Sequence, residues 1–440
     1  MIIRLLYVWP WSNSIMFNTQ YRWLQVLVGL GVAIAIALLP WRPLFAPANS
    51  PPAVTEEVRG VWLTNVASGV LFAPWGVERA IDKLAQLHFN TLYPVIWNRG
   101  KTFYPSSLAR QVTGSDEELL LKLAHPGSDV LATLVERSHK RGLRAIAWFE
   151  YGFMVPANSE LAKRHPDWLT RSQQSSTIVA QDEFNARRSD TQNSNVLQPA
   201  QAWLNPFHPE VRDFIKGLIL EAIANYAVDG IQLDDHFGLP VEMGYDRFTA
   251  KLYQQERSGQ LPPSNPRDPQ WVGWRANKIT EFVGDLNRSI KTIRPDCIVS
   301  LSPNSQSFSY QKYLQDWRTW VERGFIDELV LQVYRRDLNT FVGELAQPAV
   351  QFARSRIPTS VGILSGTVRT PAKIDQIQAQ VRATRDRGFA GVSFFYWESL
   401  WGYIAPEAPQ QRRNGFRALF SQPATIRKNG RIRERAIERL

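Results

Sequence analysis

The sequence predicts a (β/α)8 TIM barrel, and three observations carry that prediction. Eight short runs of strand character recur between residues 58 and 397, separated by stretches with helical spacing of apolar residues. Ionisable and amide side chains gather directly after those runs, where a parallel barrel keeps its chemistry. The length, 440 residues, accommodates one domain of that size with extensions, or two ordinary domains.

The N-terminal part stands apart from the barrel. Residues 1–22, a cytoplasmic segment or n-region, carry Arg4 and Arg22 ahead of an almost unbroken apolar run at 23–39 (WLQVLVGLGVAIAIALL). Membrane spans need ~17–25 such residues, so this one is near the minimum. It reads as a signal anchor or a signal-peptide core. The upstream positive charge predicts export of the bulk of the chain to the periplasmic or cell-envelope side, anchored to the inner membrane. Residues 40–56 are Pro-rich and read as a linker.

The barrel domain is expected over 57–420. Residues 58–65 (VRGVWLTN) form the first strand and 77–88 a helix; 90–97 (NTLYPVIW) form the second strand. A helix over 129–141 opens on Asp129 and stops at Gly142, and 144–150 (RAIAWFE) form the third strand. A long insertion follows at 151–206. Its polar middle, 172–195, exceeds ordinary loop length, which marks such segments as functional or disordered. A helix at 209–226 leads into strand four, within DGIQLDDHFG, and helices at 245–258 and 271–293 flank the Pro-rich LPPSNPRDP. Strands five to eight fall at 297–302, 327–334, 360–364 and 389–397, with helices at 313–323, 338–354 and 371–387 between them.

Composition narrows the function classes. The lone cysteine, Cys297, rules out an internal disulfide and a cysteine-based metal site. The net charge of +11 is uneven, with a basic tail at 421–440 that reads as a solvated end or a surface for anionic lipid or polymer. No nucleic-acid recognition motif accompanies that charge, so a nucleic-acid partner is not expected. Sixteen Trp residues supply flat apolar faces of the kind that suit sugar rings.

Strand four is the most informative stretch. Ile231 and Leu233 alternate with Gln232 and Asp234, so Gln232, Asp234 and His236 face the lumen while Asp235 alternates out and supports the loop. The other strand ends supply Arg99 after strand two, Glu150 at strand three, Asn304 after strand five, Gln332 and Tyr334 on strand six, and Trp397 and Glu398 at strand eight. Carboxylates from several strands, with amides and aromatics between them, suit glycosidic bond hydrolysis, which needs a protonated acid and a second carboxylate. Asp234 is the candidate nucleophile or transition-state stabiliser, Glu150 the preferred acid and Glu398 the second choice. Arg99, Asn205, Asp235, His236, Asn304, Gln332, Tyr334 and Trp397 are the candidate substrate-binding residues. A polysaccharide substrate and no cofactor are expected. Two other readings stay open: a metal-dependent polysaccharide deacetylase using Asp234, Asp235 and His236, and a carbohydrate-binding barrel without catalysis. Against the first, His125, His139, His165 and His208 form no compact ligand motif at the other strand ends, so no metal is expected.

Several stretches together resemble a known family: EVRGVWLTN, FNTLYPVIWNRGKTFYPS, RAIAWFEYGF, HPDWL, WLNPFHPEVRDFI and DGIQLDDHFG. From Glu57 to about Leu419 the chain resembles glycoside hydrolase-like family ten, a bacterial barrel group formerly of unknown function. The resemblance implies a (β/α)8 barrel and a glycan substrate. Some relatives look like hydrolases of cell-wall glycan strands lacking peptide stems, which makes peptidoglycan glycan the expected substrate. A weaker likeness to chitinase-type barrels, whose fourth strand carries DGxDxDxE with a final acid Glu, places Gln232 where an Asp stands. It sets Asp234 on the inner Asp and His236 on the acid, so the acid is expected from another strand, Glu150 or Glu398.

Overall fold

The computed structural model describes residues 55–179, 200–368, 370–402 and 404–426. The apolar segment at 23–39, the polar core of the insertion and most of the basic tail lie outside the described residues.

Eight parallel strands close into a barrel. They are β1 (Val58–Leu63), β2 (Thr91–Asn98), β3 (Arg144–Phe149), β4 (Gly230–Asp234), β5 (Ile298–Ser302), β6 (Glu328–Gln332), β7 (Thr359–Leu364) and β8 (Gly391–Phe395). Each pairs with its sequence neighbours, and β8 pairs with β1 through Gly391↔Val58 to Phe394↔Val61, which shuts the ring. Strands covered on both faces must be apolar outward and well packed inward. Accordingly, every residue of β1, β2 and β4 is buried.

The outer ring comprises α1 (Gly76–Gln86), α2 (Val130–Lys140), α3 (Pro209–Asn225), α4 (Pro269–Ile293), α5 (Trp317–Glu322), α6 (Leu338–Leu345), α7 (Ile374–Asp386) and α8 (Pro409–Leu419). Side chains cap several of them: Asp129 accepts from the Ala132 N–H at the start of α2, and Asp268 from the Gln270 and Trp271 N–H groups ahead of α4. The barrel expectation holds, with local differences. The helix expected over 338–354 is two, because Pro348 lacks the N–H an uninterrupted helix needs and instead opens a second helix, Pro348–Arg354. The stretch at 313–323 likewise divides where Leu314 takes a left-handed φ of 55°, between Gln306–Tyr313 and α5. Strand eight stops at Phe395, and Trp397–Leu400 form a turn of 3-10 helix tied by the Ser399 hydroxyl to the Tyr396 backbone.

Two connections shape the rim above the strand ends. After β2 the chain reverses through Arg99 and Gly100 into Lys101–Thr102, which pair antiparallel with β2, and continues into helices Ser107–Thr113 and Leu119–Ala124. The insertion after β3 is pinned at both ends: Met154–Pro156 pair antiparallel with Gln201–Trp203, and the Leu204 N–H reaches the Phe153 carbonyl at 2.8 Å. At the opposite end of the barrel, Thr55–Glu56 pair in parallel with Ala424–Thr425, and Glu57 accepts from both Arg59 and Arg385.

Candidate active site

A chain of polar side chains climbs the barrel axis and ends in a cluster of acids. At the bottom, Arg144 meets Glu328 at 2.9 Å, and Ser300 donates to the same carboxylate at 3.1 Å. Gln232 donates to Ser300 at 3.0 Å and accepts from the Trp62 indole at 2.7 Å. Apart from the partly buried Arg144 these side chains are buried, where an unmade hydrogen bond is costly.

Asp234 ends β4 one inward step above Gln232. Its Oδ2 accepts from the Trp148 indole at 2.6 Å; its Oδ1 accepts from the Asp235 N–H at 2.6 Å and from Gln332 at 3.1 Å. Gln332 is itself fixed by the carbonyl and hydroxyl of Ser302. Burial first, then the adjoining Asp235 carboxylate, pushes the Asp234 carboxyl well above its ordinary range. Two acids side by side in a closed space share protons as a pair.

Glu150 follows β3 two residues after Trp148, so both point inward. Its Oε2 accepts from Thr64 at 2.9 Å and from Asn98 at 2.6 Å. Burial pushes its carboxyl up to about 7; those two hydrogen bonds and the Arg99 guanidinium oppose the rise, and Asp235 adds to it. His236 bridges the two acidic strand ends. Its Nδ1 lies 3.1 Å from the Glu150 carbonyl and 3.0 Å from Asp235 Oδ1, with the ring stacked on Tyr151 at 5.6 Å. Asn304 donates to Asp235 Oδ2 at 2.6 Å. Asp235 thus faces the same rim as the inward set, held by partners from its own loop and from β5. Tyr334 stands just past β6. Burial and the charges of Asp234, Asp235 and Glu150 hold its phenol protonated, and its ring lies 5.7 Å from Phe395.

Glu150, Asp234, Asp235, His236, Asn304, Gln332 and Tyr334 therefore converge, with Arg99 beside Glu150. The other three candidates lie elsewhere. Glu398 accepts from Ser68 at 2.7 Å in the loop after β1; burial raises its carboxyl, opposed by that bond, by the Gly69 N–H and by Lys83. Trp397 is buried against Trp401 at 5.3 Å, with the Lys83 ammonium 5.7 Å from its ring. Asn205 is fully buried under the insertion, donating to Asp246 at 3.0 Å and Thr249 at 2.8 Å.

Trp148, Thr64 and Asn98 complete the hydrogen bonding of the two central acids; of these only Asn98, at the end of strand two, is picked out by its place in the sequence. For Trp148 the signal is present, since it shares the inward face of β3 with Glu150. A further constraint comes from Gly152, whose φ is 51°; a Cβ there would stand 2.7 Å from the His236 carbonyl oxygen. The loops after β3 and β4 touch backbone to backbone at that point.

Asp234, Asp235 and His236 also offer ligand atoms within 4.8 Å of one another, the spacing of a cation site. A cation there would have to compete with the Asp235 N–H and Gln332 for Asp234 Oδ1, and with the Trp148 indole for Oδ2. The donor set therefore suits a hydrogen-bonded carboxylate better than a metal ligand.

Residues 57–381 match the family model described as glycosyl hydrolase-like 10. The chain is 25% identical over 350 residues to the glycosyl hydrolase DigH of Escherichia coli K12, covering 69% of this chain and 74% of that protein. It is 24% identical over 328 residues to the glycosyl hydrolase YngK of Bacillus subtilis 168, covering 66% and 56% respectively. Among solved structures, the glycoside hydrolase domain of PgaB (BpsB) from Bordetella bronchiseptica aligns with a TM-score of 0.53 at 16% identity, over 81% of this chain and 100% of that one. The catalytic domain of β-amylase from Paenibacillus polymyxa aligns with a TM-score of 0.53 at 10% identity, over 84% and 100%. At such identities the two structures speak for the barrel fold alone. The family match and the named relatives support a glycosidase-type activity. With its model matched across residues 57–381, the chain belongs to the glycosyl hydrolase-like 10 family.

Proposed function

We propose that this protein hydrolyses glycosidic bonds in a bacterial polysaccharide by a two-carboxylate mechanism, with peptidoglycan glycan strands as the substrate. The observation that carries the reading is the pair Glu150 and Asp234. One is a carboxyl kept protonated to about pH 7 by burial; the other, on the next strand, is raised as well by burial and by Asp235, and three N–H donors hold it in place and favour its ionised form. Glu150 is the acid that protonates the leaving oxygen. Asp234 serves as nucleophile or as stabiliser of the positive charge that develops at the sugar ring. Asp235, His236, Asn304, Gln332 and Tyr334 surround the sugar, and the half-buried Phe395 beside Tyr334 offers an apolar face. The chain acts on the exported side of the membrane, tethered through the segment at 23–39, which would put it beside a cell-wall substrate.

The test is incubation of the protein with amidase-stripped cell-wall glycan, alongside Asp234→Asn and Glu150→Gln. Each variant should lose ~10²–10⁴-fold in rate. Unchanged turnover in both refutes the assignment. Glycan binding without turnover in the wild type identifies a carbohydrate-binding barrel instead. Because Asp234, Asp235 and His236 have ligand spacing, a chelator control is included; activity abolished by chelation and restored by a divalent cation identifies the metal-dependent deacetylase.

A further inference from the structure

Arg99 sits where its backbone conformation argues against it. With Gly100 it forms the two-residue turn in which Asn98 pairs with Lys101, and both turn residues have positive φ, 54° and 76°. A turn of this geometry favours Asn-Gly or Gly-Gly, because a side chain in the left-handed region costs about 1 kcal/mol. Gly100 fits that demand and Arg99 does not. Where a local preference is broken, the compensating gain is sought in function.

The side chain supplies the second observation. The Arg99 guanidinium is close enough to Glu150 to oppose the rise in its carboxyl pKa. The residue is half-buried, and its Nε is enclosed with no hydrogen-bond partner among the described residues. Its neighbour Asn98 gives its amide hydrogens to Glu150 and Asn65, and the Asn98 Oδ1 is likewise enclosed without a partner among the described residues and does not accept from Arg99. A buried guanidinium nitrogen is costly to leave unmatched, and a planar guanidinium matches a carboxylate through two parallel bonds. The turn thus holds, beside the acid, a donor whose acceptor the described chain does not supply.

We propose that Arg99 is the specificity-determining residue of this site and binds a carboxylate on the sugar next to the scissile bond, so that the substrate is an anionic glycan. The proposal rests on the glycosidase reading above. On a peptidoglycan strand that group is the free lactyl carboxylate of the muramic sugar.

The experiment compares amidase-stripped glycan with the same glycan after its carboxylates are reduced to alcohols, using the full chain, Arg99→Gln and Arg99→Lys. The wild type should prefer the carboxylated glycan by ~10–100-fold in kcat/KM, the gain of one charge-assisted contact, expressed mainly in KM. Arg99→Gln should cut that preference at least ~10-fold and Arg99→Lys should retain part of it, since an ammonium keeps the charge but not the fork. An influence on Glu150 alone would shift the pH profile equally for both glycans and leave their ratio intact, and that result overturns the proposal. Should neither glycan be turned over, the glycosidase reading fails, and calorimetric binding of the two glycans decides the role of Arg99 by itself. Equal affinity of the wild type for both overturns it; a preference lost in Arg99→Gln supports it.

Discussion

Trp148 donates its indole N–H to Asp234 Oδ2 at 2.6 Å, joining neighbouring strands β3 and β4 through the acid itself. The bond fixes the carboxylate plane before any sugar arrives and favours its charged form. Trp148→Phe keeps the aromatic bulk and removes the donor. It should lower kcat by ~10–100-fold, the range for a hydrogen bond to a charged group, with KM little changed. Steady-state kinetics beside a thermal melt separates this from loss of packing.

Glu150 makes the reaction pH-dependent in a defined direction. Its folded pKa of about 7 exceeds the ordinary carboxyl value, so the folded chain holds this proton where the unfolded chain has released it. The stability contribution is complete below the ordinary carboxyl range and is lost as pH rises through about 7. Activity should fall over the same window, because the acid must carry its proton. In Glu150→Gln the basic limb of kcat/KM near neutral pH disappears from what activity remains, and the loss of stability across that window flattens. In Arg99→Gln the limb moves to higher pH, since the guanidinium opposes the rise.

Gly152 is the contact through which the β3 loop sets the β4 loop. Gly152→Ala meets both a left-handed φ and the His236 carbonyl at 2.7 Å. It should destabilise the domain by ~1–3 kcal/mol and lower turnover as His236 and Glu150 move apart. Denaturant unfolding and kcat on the same preparation check it; a silent substitution would show that the two loops are independent.

Asn205→Ala should separate folding from binding. The side chain holds Asp246, Thr249 and the Phe207 N–H together in a fully buried knot at the exit of the insertion. Removing it leaves the Phe207 N–H unmatched and takes one donor each from Asp246 and Thr249, a cost of ~1–3 kcal/mol. The melt should drop while KM stays near the wild-type value.

Period and position made much of this molecule readable from its residues. The alternation in GIQLD sets Gln232 and Asp234 on one face, and the same period in RAIAWFE sets Trp148 with Glu150. The less readable parts have physical reasons. FAGVSFFYW looks like one long strand, because nothing in its apolar run announces that the strand stops at Phe395 and that Trp397 and Glu398 lie in a 3-10 turn. Asn205 follows a Trp-Leu pair just before a helix, and its burial depends on Asp246, a partner 41 residues on that no local pattern reveals. Pro348 could have been read as a helix start, since proline is at home there. Hydrogen-bond partners across the barrel, such as Thr64 and Asn98 on Glu150, arise only when distant strands are brought side by side.

The short pairing of Thr55–Glu56 with Ala424–Thr425 fixes where the two ends of the described ring stand relative to its acids. Both ends of the folded ring depart from the side where the strands begin, whereas the acids open where the strands finish. The rim that carries the acids is therefore free of both ends of the described ring.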